Sequence, residues 1–207
     1  MVFWGDYTGL PMPYMGWNVV VGEEYKGNSQ LTLALTKLLE WLRDYMSVDT
    51  VTLLLPDENR QNLTVHATIG LEEEIIQKVR IPMGQGIAGR IAASSKPMIV
   101  NDLSAVEVFS SILRQKKLQA LVGVPVCIKQ GTVGVLHVGT LRPHQFTELD
   151  VQQLQLVADR LKLVIADAGL FNISDQSSRV AHRCDFSLWE DLVRDRAGLV
   201  AVLNLAF

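Results

Sequence analysis

Cysteine is scarce in this chain, with two in 207 residues, Cys127 and Cys184, far apart and in no CxxC or Cys/His spacing. That spacing signals neither a disulfide framework nor a zinc site, and a reducing cytoplasm is the expected setting. Positive charge is not concentrated either: 19 Lys and Arg are scattered against 22 Asp and Glu, for a formal charge of −3. The stripe of cations that neutralising a phosphate backbone requires is missing, so no nucleic acid is expected as a partner. Apolar residues nowhere run far enough to span a bilayer, and 1–17 has neither a basic start nor a long apolar core, so neither membrane nor secretion is expected.

Catalytic signatures are absent as well. There is no GxSxG elbow, no Walker loop, no spaced pair of acids for glycosidic chemistry and no HExxH. His66, His137, His144 and His182 stand in no metal-ligand spacing, and each reads as a core or surface histidine. Cys127 has no neighbouring cation to favour a thiolate and reads as a buried, inert side chain. Glu72, Glu73 and Glu74 read as the solvated start of a helical turn.

What is present is a normal complement for folding, 48% hydrophobic and 20% charged residues, enough to bury one core. Residues 1–27 are rich in Gly, Pro and aromatics and read as an irregular arm. From Asn28 and Ser29, both good N-cap types, Leu31, Leu35, Leu38, Leu42 and Tyr45 follow at spacings of four and three, predicting an amphipathic helix over 30–46. Apolar runs at 51–55 and 63–69 flank a polar loop, and runs at 119–128 and 132–141 flank Lys129, Gln130 and Gly131. Both read as antiparallel hairpins. Between them lie helices expected over 87–95 and 105–117 and a brief strand at 98–100.

Thr147 as N-cap and Asp150 three residues on open a helix expected over 148–171. It carries one apolar seam at Val151, Leu154, Ala158, Leu161, Ile165 and Ala168, and a second at Leu156, Val157, Leu163, Val164, Leu170 and Phe171. One seam can cover a sheet, which leaves the other for a partner, unless the helix is simply sunk deeper in one core; the first seam supplies the dimer candidates. The tail 172–207 has a capping box from Ser187 to Glu190 and an apolar end, and no role is assigned to it. Gly84, Gly86 and Gly89 spell GxGxxG, but no buried parallel strand precedes them, so tight turning and close helix packing account for them better than dinucleotide binding.

Taken together, five words resemble the GAF domain family: Ile81-Pro-Met-Gly-Gln-Gly-Ile-Ala-Gly-Arg90, Lys96-Pro-Met-Ile-Val-Asn-Asp102, Leu121-Val-Gly-Val-Pro-Val126, Val133-Gly-Val-Leu-His-Val-Gly-Thr140 and Phe146-Thr-Glu-Leu-Asp150. The resemblance spans 28–171. It implies an α+β fold: a central antiparallel β-sheet with terminal helices on one face, often dimerising, and a small-molecule pocket on the other under 82–117. The wording looks most like bacterial signalling modules ahead of serine phosphatase or histidine kinase domains, an output domain that nothing in this sequence resembles.

Bilin-binding members attach the chromophore through a cysteine in the helix corresponding to 105–117, which has none, so no bilin is expected. The cyclic-nucleotide signature is matched at Phe146 and Asp150, but Thr140 and Leu141 replace its Asn-Lys pair and Val151 its final Glu, so cyclic nucleotide binding is not expected. Members that reduce free methionine sulfoxide need several pocket cysteines, against Cys127 alone here. No cofactor or metal is identified. The reading is a cytoplasmic, non-enzymatic sensor of an unknown small molecule, working as a homodimer, with Phe109, Ile112 and Leu113 as the pocket wall. The rivals are a structural dimerisation domain without ligand and a thiol-dependent reductase.

Overall fold

The computed structural model describes residues 20–21, 29–128 and 131–167, with side chains described over 35–128 and 131–162. The elements run β1 (Val20–Val21), α1 (Ser29–Met46), β2 (Thr50–Pro56), β3 (Asn62–Ile69), α2 (Glu72–Ile76), β4 (Arg80–Pro82), α3 (Gly86–Ser94), β5 (Met98–Val100), a single turn of 3₁₀ helix (Leu103–Ala105), α4 (Ser111–Gln115), β6 (Ala120–Ile128), β7 (Gly131–Thr140) and α5 (Glu148–Asp167). Among the described residues, all the strands pair antiparallel in one seven-stranded sheet of order β1-β3-β2-β7-β6-β5, with β4 also on β3.

Strand β7 lies at the centre, between β2 and β6, and both of its faces are covered. Alternation from Val135 to Val138 then sorts its residues. Leu136 and Val138 join the core beneath α1 and α5, whereas Val135 joins a second core beneath α2, α3 and α4. His137, opposite Gly123 on β6 and Thr52 on β2, falls on the Val135 face and is 4% exposed. Gly123 lets α3 pack closely there, because a Cβ would sit 2.7 Å from Ile91 Cδ1 of α3 and 3.1 Å from His137 Cβ, and Ile91 would have to shift. The two hairpins expected from the apolar runs are β2–β3 and β6–β7.

Helix α1 buries Leu35, Leu38, Leu39 and Leu42 against the first core. At the start of α5, the Asp150 carboxylate accepts hydrogen bonds of 2.7 Å from both Thr147 N and Thr147 Oγ1, the acidic half of the expected capping box. Helix α5 buries Val151, Leu154, Val157, Ala158 and Leu161 in the same core. The seam assigned to a partner from sequence is therefore the one that covers the sheet. Of its other members, the side chain of Ile165 and the whole of Ala168 lie outside the described residues, as do 168–171 of the expected helix.

Three other expectations change. The helix expected over 105–117 is a 3₁₀ turn, an extended stretch and the five-residue α4. Val106 sits at φ −120° and ψ 146°, in keeping with the β-branched Val106 and Val108 and the aromatic Phe109 that resist a helix there. The expected irregular arm contributes β1, paired as Val20 with Thr68 and Val21 with Ala67; residues 1–19, 22–28 and the tail 172–207 lie outside the described residues. Strand β4, three residues beside β3, was not foreseen because Arg80, Ile81 and Pro82 are too few to show a period.

Because Leu154 is 0% exposed in the core, Leu154→Ala should destabilise the chain by roughly 2–5 kcal/mol in urea unfolding. Equilibrium ultracentrifugation should find its oligomeric state unchanged.

Candidate functional site

On the second face of the sheet, a recess of about 20 Å³ is lined by Ile81, Ile87, Ala88, Val108, Phe109, Leu113 and Leu121, with three polar residues, Glu74, Ser110 and His137. This is room for about one water molecule. Two glycines of the GxGxxG word build its roof. Gly86, at φ +59°, lets the 108–110 segment approach so closely that a Cβ would lie 2.8 Å from Phe109 Cβ, and a Cβ on Gly89 would collide with the Pro82 carbonyl oxygen. Turn geometry and close packing are what these glycines supply.

Each polar residue arrives from a different element. Glutamates 72, 73 and 74 are divided by the pitch of α2. Glu72 Oε1 accepts from Gly70 N at 2.7 Å, Glu73 Oε1 pairs with Lys116 Nζ at 2.6 Å, and Glu74 turns inward to 2% exposure. The reading of all three as solvated is thus corrected at Glu74. It lies three residues after the fully buried Leu71, on the apolar face of the turn, and that spacing was the signal in the sequence.

Burial pushes the Glu74 carboxyl up to about 7; the Ser110 hydroxyl beside it partly opposes this and the Glu73 charge adds to it. Ser110 stands at the N-cap of α4 yet caps nothing, and its buried Oγ has no close hydrogen-bond partner. Burial likewise lowers His137 to about 4, so its ring is neutral at physiological pH, and its Nδ1 has no partner. Leaving buried polar atoms without partners costs about 1–3 kcal/mol each.

Of the residues expected to form the pocket wall, Phe109 and Leu113 line the recess, Phe109 at its rim with 46% exposure. Ile112 is buried in the second core and is not among the lining residues. Cys127 is buried near the end of β6, its sulfur 3.8 Å from Thr132 Oγ1, away from the lining. Among the described residues no group of three His, Cys, Asp or Glu side chains could hold a metal ion. No helix among them is long and apolar enough to cross a membrane.

The roof is tied to the rest of the fold at two points. The Glu73–Lys116 ion pair joins α2 to the end of α4, with the side chains 41% and 31% exposed. Asn101, just after β5, clasps the backbone of Phe146: its Oδ1 accepts from Phe146 N at 2.8 Å and its Nδ2 donates to Phe146 O at 3.2 Å.

The arrangement is that of a GAF domain. A family model for the GAF domain matches residues 30–166, and the chain belongs to that family. Among curated proteins, it is 27% identical over 113 residues to the HTH-type transcriptional activator RamA of Corynebacterium glutamicum, covering 53% of this chain and 40% of that protein. It is 28% identical over 136 residues to the Nif-specific regulatory protein of Herbaspirillum seropedicae, covering 62% of this chain and 25% of that protein. The chain thus spans well under half the length of these relatives, both regulators by name.

Among solved structures, the GAF domain of an Acinetobacter phosphoenolpyruvate-protein phosphotransferase superposes with a TM-score of 0.55 at 21% identity, over 70% of this chain and 96% of that one. The free methionine-R-sulfoxide reductase of Neisseria meningitidis, solved with its substrate, gives 0.53 at 20% identity, over 70% and 84%. These likenesses concern the fold alone.

The two kinds of buried group respond to pH in opposite senses. Glu74 titrates higher folded than its ordinary 4.5, so its stabilisation is complete below that value and is lost as pH rises through about 7. His66 and His137 titrate lower than their ordinary 6.5, so stability is lost as pH falls from there toward about 4. Glu74→Gln isolates the first effect. Its stability relative to wild type in urea should improve by about 2 kcal/mol between about pH 5.5 and about pH 8.5.

Proposed function

We propose that this domain is the non-catalytic sensing part of a cytoplasmic regulatory protein. A small molecule occupies the recess formed by Glu74, Ser110 and His137, and its presence is passed through the roof to the terminal helices of a homodimer. The observation that carries this reading is the lining itself, a carboxyl, a hydroxyl and an imidazole buried in an apolar recess, two of them with polar atoms that find no partner. Such groups reduce stability, and binding a ligand is the use that offsets that cost.

A recess of about 20 Å³ requires the roof to move before a metabolite can enter. The ion pair that restrains it, Glu73–Lys116, is of the part-exposed kind worth roughly 0–1 kcal/mol. A small population of open chains is then available for a ligand to select. Asn101 offers the route outward, since the 98–105 segment and the start of α5 are joined through it. Dimerisation falls to the surface that α1 and α5 leave uncovered, which includes Tyr45 and Leu149 at 41% and 49% exposure, in place of the buried seam. The regulatory relatives, a transcriptional activator and a Nif-specific regulator by name, support an output carried by another part of the protein; a kinase or phosphatase output rests on the wording of the sequence alone.

The small recess also suits a structural dimerisation domain that takes no ligand, and one experiment separates the two. Thermal melts against a panel of small polar metabolites should find a compound that raises Tm by several degrees, as expected for a ligand near a hundred times its Kd. Ala88→Leu, which fills the recess, should abolish that shift. If no compound moves Tm and native mass spectrometry finds no retained ligand, the structural reading replaces this one.

A further inference from the structure

The three polar groups of the recess share a chemical bias: at neutral pH none carries positive charge, and all can accept hydrogen bonds. Among the described residues no Lys or Arg lies within ion-pair distance of Glu74. Lys116 is engaged by Glu73, and Arg80 approaches Asp57 at 3.9 Å. His137 is neutral, and with its proton on Nε2 the partnerless Nδ1 is an acceptor. The hydroxyl oxygen of Ser110, unspent on its helix, accepts as well.

An anionic ligand would face the buried carboxyl with no cation to offset it. A primary ammonium ion has the complementary inventory, one positive charge and three N–H donors in a compact head. The remaining walls, Ile81, Ile87, Leu113 and Leu121, are apolar and suit a short hydrocarbon tail. Resting on the reading of the recess as the ligand site, we propose that it selects a small alkylammonium compound, with Glu74 as counter-ion and Ser110 and His137 accepting the remaining N–H donors.

The titratable groups around Glu74 make this binding dependent on pH. On its own helix stands Glu73, whose charge raises Glu74 and is itself paired with Lys116 from the end of α4. From β7 comes His137, and on β3, against which α2 packs, the titratable residue is His66; burial keeps both neutral near pH 7. An entering ammonium must therefore displace the proton of Glu74, held up to about 7 in the empty recess. Affinity should strengthen as pH rises through that value, while the alkylammonium itself stays charged.

The test is calorimetric titration of the full chain with isobutylammonium chloride, sodium isobutyrate and isobutanol at matched ionic strength, at about pH 6 and about pH 8. Isobutylammonium should bind saturably and about ten-fold tighter at the higher pH, and isobutyrate should not bind. Glu74→Gln should weaken the ammonium about ten-fold or more while melting no lower than wild type at about pH 8, and Ser110→Ala should weaken it about three-fold. Equal or better binding of isobutyrate or isobutanol would overturn the ammonium assignment and leave the recess standing as a ligand site. So would ammonium binding that ignores Glu74→Gln. Silence from all three probes, while the metabolite panel finds a different ligand, overturns it too; silence from both sets overturns the sensing function as well.

Discussion

The constraint on which this structure turns is that the middle of its sheet is covered on both sides. Strands β2, β7 and β6 have no face toward water, so every side chain they carry must be apolar, hydrogen-bonded or held neutral. Thr52 and Thr68 satisfy the rule by pairing their hydroxyls at 2.7 Å. His137 satisfies it by staying uncharged. Glu74, pressed against the same core from α2, satisfies it by keeping its proton to about 7. The chemistry of the recess is thus a product of the fold's layering, because groups of the same type at the surface would titrate normally and present ordinary charge.

The layering was legible in the sequence because periodicity reports burial. The apolar runs of β2, β3, β6 and β7 and the leucine spacing of α1 gave an antiparallel sheet with helices on it. The local words around Gly84 to Gly89 and Leu121 to Val126 gave the family. Less legible was which face each residue takes. Val151, Leu154, Ala158 and Leu161 look the same in a list whether they meet a sheet or a second chain, and only the packing of α5 on β6 and β7 decides.

The site was harder to read for a different reason. Its polar groups come from residues 74, 110 and 137, each unremarkable among its neighbours. Three consecutive glutamates resemble a solvated run, and only the turn of α2 separates an acid bonded to the Gly70 backbone, an ion-paired acid and a buried one. Phe109 and Leu113 could be named because they lie in the segment that roofs the sheet. Ile112, adjacent to Leu113, projects elsewhere, since a helix of five residues offers the recess only part of its circumference.

The Asn101 clasp has a mechanical consequence. One planar amide holds both the N–H and the C=O of Phe146, so the residue after β5 and the approach to α5 are fixed in distance and in orientation. The edge strand and the root of α5 therefore share one orientation, and Val151, Leu154, Val157, Ala158 and Leu161 seat the helix that follows on the sheet.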